Sequence, residues 1–244
     1  MTLLQVVTPG TFEFELFFIL TLIILIVKAL LATYLGIKVF EKKKETGKFQ
    51  LDFISSVFIL MIGLFISRVL YTIFDFALTE FDANRFYLVP NLYYWKAAGF
   101  IASAGFVLTL FVVDKKALNF KLKGIPAIIL LIIMFIQLLY PVNNSEDFTF
   151  VSQIGLMTTG VGLLIPIMFL YLGIKTPGLR KVCFMIAFAV IIYGFGSILV
   201  SEGILDPLRA TFGPDIHITM FFLFLVFKTI GLTMMTYGVV NFQI

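Results

Sequence analysis

Ile128-Ile129-Leu130-Leu131-Ile132-Ile133 is six consecutive branched apolar residues with no polar position between them. A membrane-spanning β-strand shows alternating apolar and polar residues over about ten positions. This run does not alternate, so it predicts a helix. A backbone inside hydrocarbon must satisfy its own hydrogen bonds, and an α-helix does so within one segment. Working outward, six further apolar segments have the same character. About 20 helical residues cross roughly 30 Å of hydrocarbon. Spans are predicted at 13–40, 52–78, 91–113, 124–141, 152–174, 181–201 and 216–240. The expected fold is all-α: a polytopic seven-transmembrane-helix bundle forming a single membrane domain over 1–244. The first segment is longer than a crossing needs, so it tilts or projects. It opens on Glu13 and Glu15 with no basic region before it, so it reads as a retained helix rather than a cleaved signal.

The composition agrees. Of 244 residues, 61% are hydrophobic and 13% are charged, against about 45–50% and 25% in soluble domains. The single cysteine, Cys183, lies in an apolar run and excludes an internal disulfide framework or a cysteine zinc site. The predicted loops are short, which leaves no room for a kinase, cyclase, nucleotide-binding or nucleic-acid-binding domain. Any signalling output therefore has to pass to a separate protein.

The net charge of +4 is topological and does not imply nucleic-acid binding. One set of loops carries Lys42, Lys43, Lys44, Lys48, Lys115, Lys116, Lys121, Lys123, Lys175, Arg180 and Lys181. The opposite loops hold Arg85 and Arg209, with Lys96 just inside the third span. By the positive-inside rule the lysine-rich side is cytoplasmic. The N-terminus is then outside, the C-terminus inside, and the location a cell membrane. Glu80, Asp82, Glu146, Asp147, Glu202, Asp206 and Asp215 fall on the outer side.

The candidate functional residues are intramembrane charges, which are costly in hydrocarbon unless paired or wetted. Lys28, Arg68 and Lys228 lie near mid-depth. Span two carries Arg68, Tyr71, Thr72 and Asp75, whose offsets of three, four and seven place them on one helical face. Arg68 and Asp75, about 10 Å apart along the axis, are expected to meet or to share a water. Lys28 has two readings, snorkelling to the cytoplasmic interface or a place in a polar pocket. Lys228, at the middle of span seven, needs an acid elsewhere or a neutral amine. Three deep cations face one deep acid, and that surplus invites an anion. The predicted ligand set is Lys28, Arg68, Tyr71, Asp75 and Lys228, lining an outward-facing pocket for a small anionic or amphipathic ligand.

Other features read as packing or interface. Pro166 is expected to kink span five beside Gly155, Gly160 and Gly162. Ala98, Gly99, Ala102, Ser103, Gly194, Gly196, Gly231 and Gly238 are read as helix-packing positions. Asn143-Asn144-Ser145 matches the glycosylation pattern. His217 and Asp215 stand at the outer end of span seven, where His217 reads as an interfacial residue, with a pH switch as the alternative. No catalytic residues, no metal site and no enzymatic activity are expected.

The helix count, the outside N-terminus and a mid-depth lysine in the last span resemble microbial rhodopsins, in which that lysine carries retinal. Lys228 is the matching position. The surroundings depart from that pattern. Phe224 stands four residues earlier where an acid is usual, span three has no mid-depth acid, and span six lacks the Trp and Pro near Tyr193. Retinal is therefore not expected, nor any other cofactor. The layout also resembles the seven-helix membrane regions of some prokaryotic sensor kinases. A stand-alone receptor or sensor that signals through its basic loops to a cytoplasmic partner is the first expectation. A small transporter or channel is the second, and a ligand-free membrane scaffold the third.

Overall fold

The computed structural model describes residues 8–200, 202–213 and 216–242. Among the described residues the only regular structure is helical. Helix α1 (Phe12–Thr46) is followed by α2 (Phe53–Thr72), which runs on as a π-helical turn over Ile73–Leu78, and by α3 (Asn91–Ala117), α4 (Ile125–Leu139), α5 (Ser145–Gly162), α6 (Leu164–Lys175), α7 (Arg180–Leu199), α8 (Glu202–Phe212) and α9 (Ile216–Val240). Six stretches are long and apolar enough to cross a membrane: α1, α2 with its π turn, α3, α5 with α6, Pro177–Leu199 and α9. The chain is thus a multi-pass membrane protein. Large apolar side chains face outward on every long helix, among them Ile26, Leu30, Ile62, Phe111, Ile167, Phe188 and Phe222. In water such a surface would be an extended hydrophobic patch; in hydrocarbon it is solvated.

The seventh apolar segment is shorter than its predicted span. Helix α4 has 15 residues, about 22 Å at 1.5 Å per residue. Polar anchors hold both of its ends. At one end the Asp114 carboxylate, buried at the end of α3, accepts the backbone N–H groups of Leu122 (2.9 Å) and Gly124 (2.7 Å). At the other, Lys96 donates to the carbonyls of Leu138 (3.1 Å) and Tyr140 (2.6 Å), covering C-terminal carbonyls that the helix itself leaves unpaired. Helix α4 therefore runs antiparallel to α3 over most of its length.

Helix ends follow their residues. Thr11 caps α1 by accepting from Phe14 N–H (3.4 Å), and Gly47 closes the helix at φ +70°. Asp52 caps α2 through Ser55 N–H (3.0 Å) and takes an ion pair from Lys42 across the α1–α2 turn. Partial burial would raise the Asp52 carboxyl, but the hydrogen bonds from Lys42 and Ser55 outweigh it and hold the group below the usual carboxylate value. Asn144, inside the glycosylation pattern, caps α5 by accepting from Asp147 N–H (2.9 Å), and Asp147 in turn accepts from Asn143 N–H (2.9 Å). The Asn-Asn-Ser stretch thus has a local structural role.

Pro166 acts as expected, and the structure shows where. The helix breaks between α5 and α6 at Leu163. Gly162, four residues before the proline, is the position whose carbonyl the pyrrolidine ring displaces and leaves without a donor.

Neighbouring helices pack in the order α1, α2, α3, α4, α5–α6, α7, α9 and back to α1. The lysine-rich loops gather at one end. Lys121 lies 3.4 Å from the Tyr171 hydroxyl of α6, and Phe53, Phe169 and Phe242 pack together there. Just inside that end is a dense apolar layer including Leu60, Met61, Leu110, Leu130, Phe169, Ile186 and Leu232. At the opposite end, Phe17 stacks on Phe221 at 4.3 Å, with Phe14, Phe76 and Phe81 beside them. The charges lie between these two layers.

Candidate functional site

A cavity of about 430 Å³ occupies the middle of the bundle, within the size range of small-molecule sites. Lys28, Arg68, Tyr71, Asp75 and Lys228 all line it. Along α3 the lining extends from Trp95 to Phe106, about 16 Å of helix rise. Trp95, Ser152 and Val200 stand at the end away from the lysine-rich loops. Toward the lysine-rich end the cavity stops at the apolar layer around Leu60, Ile165, Ile186 and Leu232.

Each cation is held differently. Arg68 donates from Nη2 to the Thr21 hydroxyl of α1 at 2.8 Å, and its Nη1 stands 4.0 Å from Asp75 Oδ2. Its Nε is buried without a hydrogen-bond partner. The π-helical turn carries Asp75, one residue out of α-helical register, so the two groups sit at the outer limit of an ion pair. Thr72 turns back and donates to the Arg68 carbonyl (2.7 Å), which leaves Tyr71 as the member of that pair that faces the cavity.

Lys28 does not snorkel. It is buried, and its ammonium donates to the Leu64 carbonyl of α2 at 3.0 Å. The correction has a simple cause: α1 packs its Lys28 face against α2, so the side chain points into the bundle and finds a backbone acceptor before any interface. Lys228 is buried too. It donates to the Ser197 hydroxyl of α7 and lies 3.5 Å from the Tyr193 ring centroid. Its partners are thus a hydroxyl and an aromatic face, which attracts a cation through the ring quadrupole; among the described residues no carboxylate pairs with it. The Phe224 ring bridges two of the cations, 5.8 Å from the Arg68 guanidinium and 5.6 Å from the Lys228 ammonium.

Several residues at the cavity, or bonded to its cations, carried no signal in the sequence. Gln137 is buried in α4 and packs directly against Gly99 and Gly155, where its Nε2 would stand 3.6 Å and 2.9 Å from an added Cβ. Tyr193, Ser197 and Thr21 became functional candidates only through contact with a cation. One polar residue in an apolar run could have flagged Gln137; nothing local flags the others. The small residues of α3 divide: Ala98 is buried, whereas Gly99, Ala102 and Ser103 line the cavity. Gly196, Gly231 and Gly238 are packing positions, since a Cβ on Gly231 would stand 2.8 Å from the Ala189 carbonyl oxygen and one on Gly238 2.6 Å from Ile186 Cγ1. Gly194 is not: nothing lies within 4 Å of its Cβ position, and it lines the cavity.

His217 lies outside the site. Its ring contacts Phe17 edge-on at 4.7 Å and its Nδ1 is 3.4 Å from Arg209. Asp215, read with it at the outer end of span seven, lies outside the described residues, as do the side chains of Glu202 and Asp206. On the same side of the bundle, Arg85 is matched by Glu80 (3.2 Å) and Asp82 (3.4 Å). Among the described residues no group of three His, Cys, Asp or Glu is placed to hold a metal ion.

No family model matches this chain, and neither a curated protein nor a solved structure matches it.

Proposed function

We propose that this chain is a seven-helix, receptor-like protein of a cell membrane whose central cavity binds a small anionic or amphipathic ligand. The observation that carries the reading is the charge count in one cavity: among the described residues Lys28, Arg68 and Lys228 stand against Asp75 alone, with Arg68 Nε unpaired. Buried cations are stabilised by an anion that supplies the missing acceptors. Helix α4 is counted as the seventh crossing. Its antiparallel course between Asp114 and Lys96 supports this, because the segment begins and ends at opposite ends of α3. With seven crossings the lysine-rich end is cytoplasmic, α1 starts outside, and the cavity faces outward. The apolar layer then separates the ligand from the cytoplasm, so the ligand's effect passes through helix positions to a partner docked on the basic loops. The cavity lining suggests no reaction chemistry, and the ligand is bound rather than converted.

The test uses Trp95, the chain's one tryptophan and part of the cavity wall. Butyrate or inorganic phosphate should shift its fluorescence in the purified protein, and choline should not. Hydrogen bonds to charged groups contribute about 1.5–3 kcal/mol, so Lys228→Gln and Arg68→Gln should each weaken the anion about 10-fold to 100-fold. Equal responses to anions and choline, or full affinity in both variants, would sink the reading.

A small transporter is the second reading, favoured by the broken α5–α6 helix on the cavity wall. Discontinuous helices at mid-depth recur at substrate sites of transporters. Butyrate uptake by proteoliposomes separates the two, since a receptor binds without flux.

A further inference from the structure

The cavity is not walled evenly. Its two flanking elements on one side are α5 and α7. They line the same space, through Ser152, Gly155, Thr158 and Gly162 on α5 and through Val190, Tyr193, Gly194 and Ser197 on α7. Yet α5 packs on α4, while it is α6 that packs along α7. The cause is the break at Leu163: below it the chain follows α7, and above it the chain leans away. Where the helices diverge, Gly162 and Gly194 stand on the cavity wall, and at neither does a described atom lie within 4 Å of a Cβ position. Leu163, at the break, both lines the cavity and is exposed on the surface midway along the apolar stretch Ser145–Lys175, so the gap opens sideways at membrane depth.

We propose that the gap between α5 and α7 is a lateral portal, through which an amphiphile with an anionic headgroup enters the cavity from the bilayer. The inference rests on the anion-binding reading above and narrows its ligand class. The headgroup, carboxylate or phosphate, sits among Arg68, Lys228 and Lys28. Lys28 and Lys228 are buried and Arg68 half-buried, all short of acidic partners among the described residues, and Arg68 Nε is buried without an acceptor. The chain of the amphiphile leaves through the portal past Leu163 and Val190. Both an amphiphile's headgroup and a soluble anion shed water on entry, but the partitioned tail concentrates the amphiphile in the membrane beside the portal.

The experiment places the full chain in phosphatidylcholine nanodiscs and follows energy transfer from Trp95 to cis-parinarate, a fluorescent long-chain carboxylate. The specific signal is the part abolished by Arg68→Gln with Lys228→Gln. Oleate should displace parinarate at a concentration at least tenfold below that of butyrate or inorganic phosphate. A Gly194→Cys variant, folded first and then modified with benzyl methanethiosulfonate, should bind parinarate at least tenfold more weakly and recover on addition of dithiothreitol. The native Cys183 is fully buried, and the wild-type protein treated alike is the control. Undiminished parinarate binding after modification, or butyrate competing as well as oleate, would overturn the portal while leaving the anion pocket standing. Failure of butyrate, phosphate and parinarate alike would overturn both.

Discussion

Lys228 and Arg68 differ in a way their shared charge conceals. Arg68 has Thr21 and a distant Asp75, both oriented by its own helix or the next one. Lys228 depends on a hydroxyl and a ring contributed by α7. Among the described residues Asp75 is the one carboxylate on the cavity wall, and it repels the same anion that the cations attract. Asp75→Asn should therefore tighten butyrate several-fold, for about 1–2 kcal/mol of removed repulsion at the effective dielectric of a partly wet site. The Trp95 titration measures it. Weaker binding in that variant would show that Asp75 positions Arg68 more than it opposes the ligand. Tyr193→Phe keeps the aromatic face under Lys228 and should preserve the fold, whereas Tyr193→Ala removes it and should lower thermal stability by about 3 kcal/mol or more.

At the scale of elements, two glycines on facing helices have opposite roles. Gly231 of α9 lies against the α7 backbone at Ala189 and Tyr193. Gly231→Ala should overpack that contact and cost about 1–3 kcal/mol. Gly194→Ala meets nothing and should be neutral or stabilising by up to about 1 kcal/mol through helix propensity. Thermal unfolding in detergent decides the order, and the reverse order would refute the assignment of Gly194 to open space. Asp52 gives an acid-sensitive counterpart. Its carboxyl is held below the ordinary 3.8, so its stabilisation is complete above that pH and is lost as pH falls through the lower folded value. Asp52→Ala should cost about 1 kcal/mol at neutral pH. Its unfolding curve should converge on that of the wild type in acid.

The helices themselves were largely legible, because hydrogen-bond closure in hydrocarbon forces long apolar runs into one conformation. The break was legible at Pro166 but not at Leu163. The π-helical turn at Ile73–Leu78 carried no local signal, and it changes the relation of Arg68 to Asp75 from the one that α-helical spacing implies. The shortness of α4 was also hidden, since its ends are set by the remote anchors Asp114 and Lys96 and not by hydrophobicity.

For the whole molecule, the gathering of the basic loops at one end makes orientation testable. Gly178 and Ala83 are exposed at opposite ends, while Cys183 is buried. In intact cells an impermeant maleimide should label Ala83→Cys and spare Gly178→Cys, with both labelled after lysis. Labelling of Gly178→Cys from outside would invert the topology and turn the cavity toward the cytoplasm.

The amino-acid sequence by itself determined the solvent, the helical class and the sidedness of charge, because each follows from composition and period along one segment. It also singled out Lys28, Arg68, Tyr71, Asp75 and Lys228, since a charge or a polar cluster in an apolar run stands out wherever its side chain points. Only the tertiary structure decided that these residues share one cavity, that Lys28 turns inward, and that α5 parts from α7. Those outcomes depend on which helix faces pack together and where a distant residue anchors a helix end, relations that no single segment encodes.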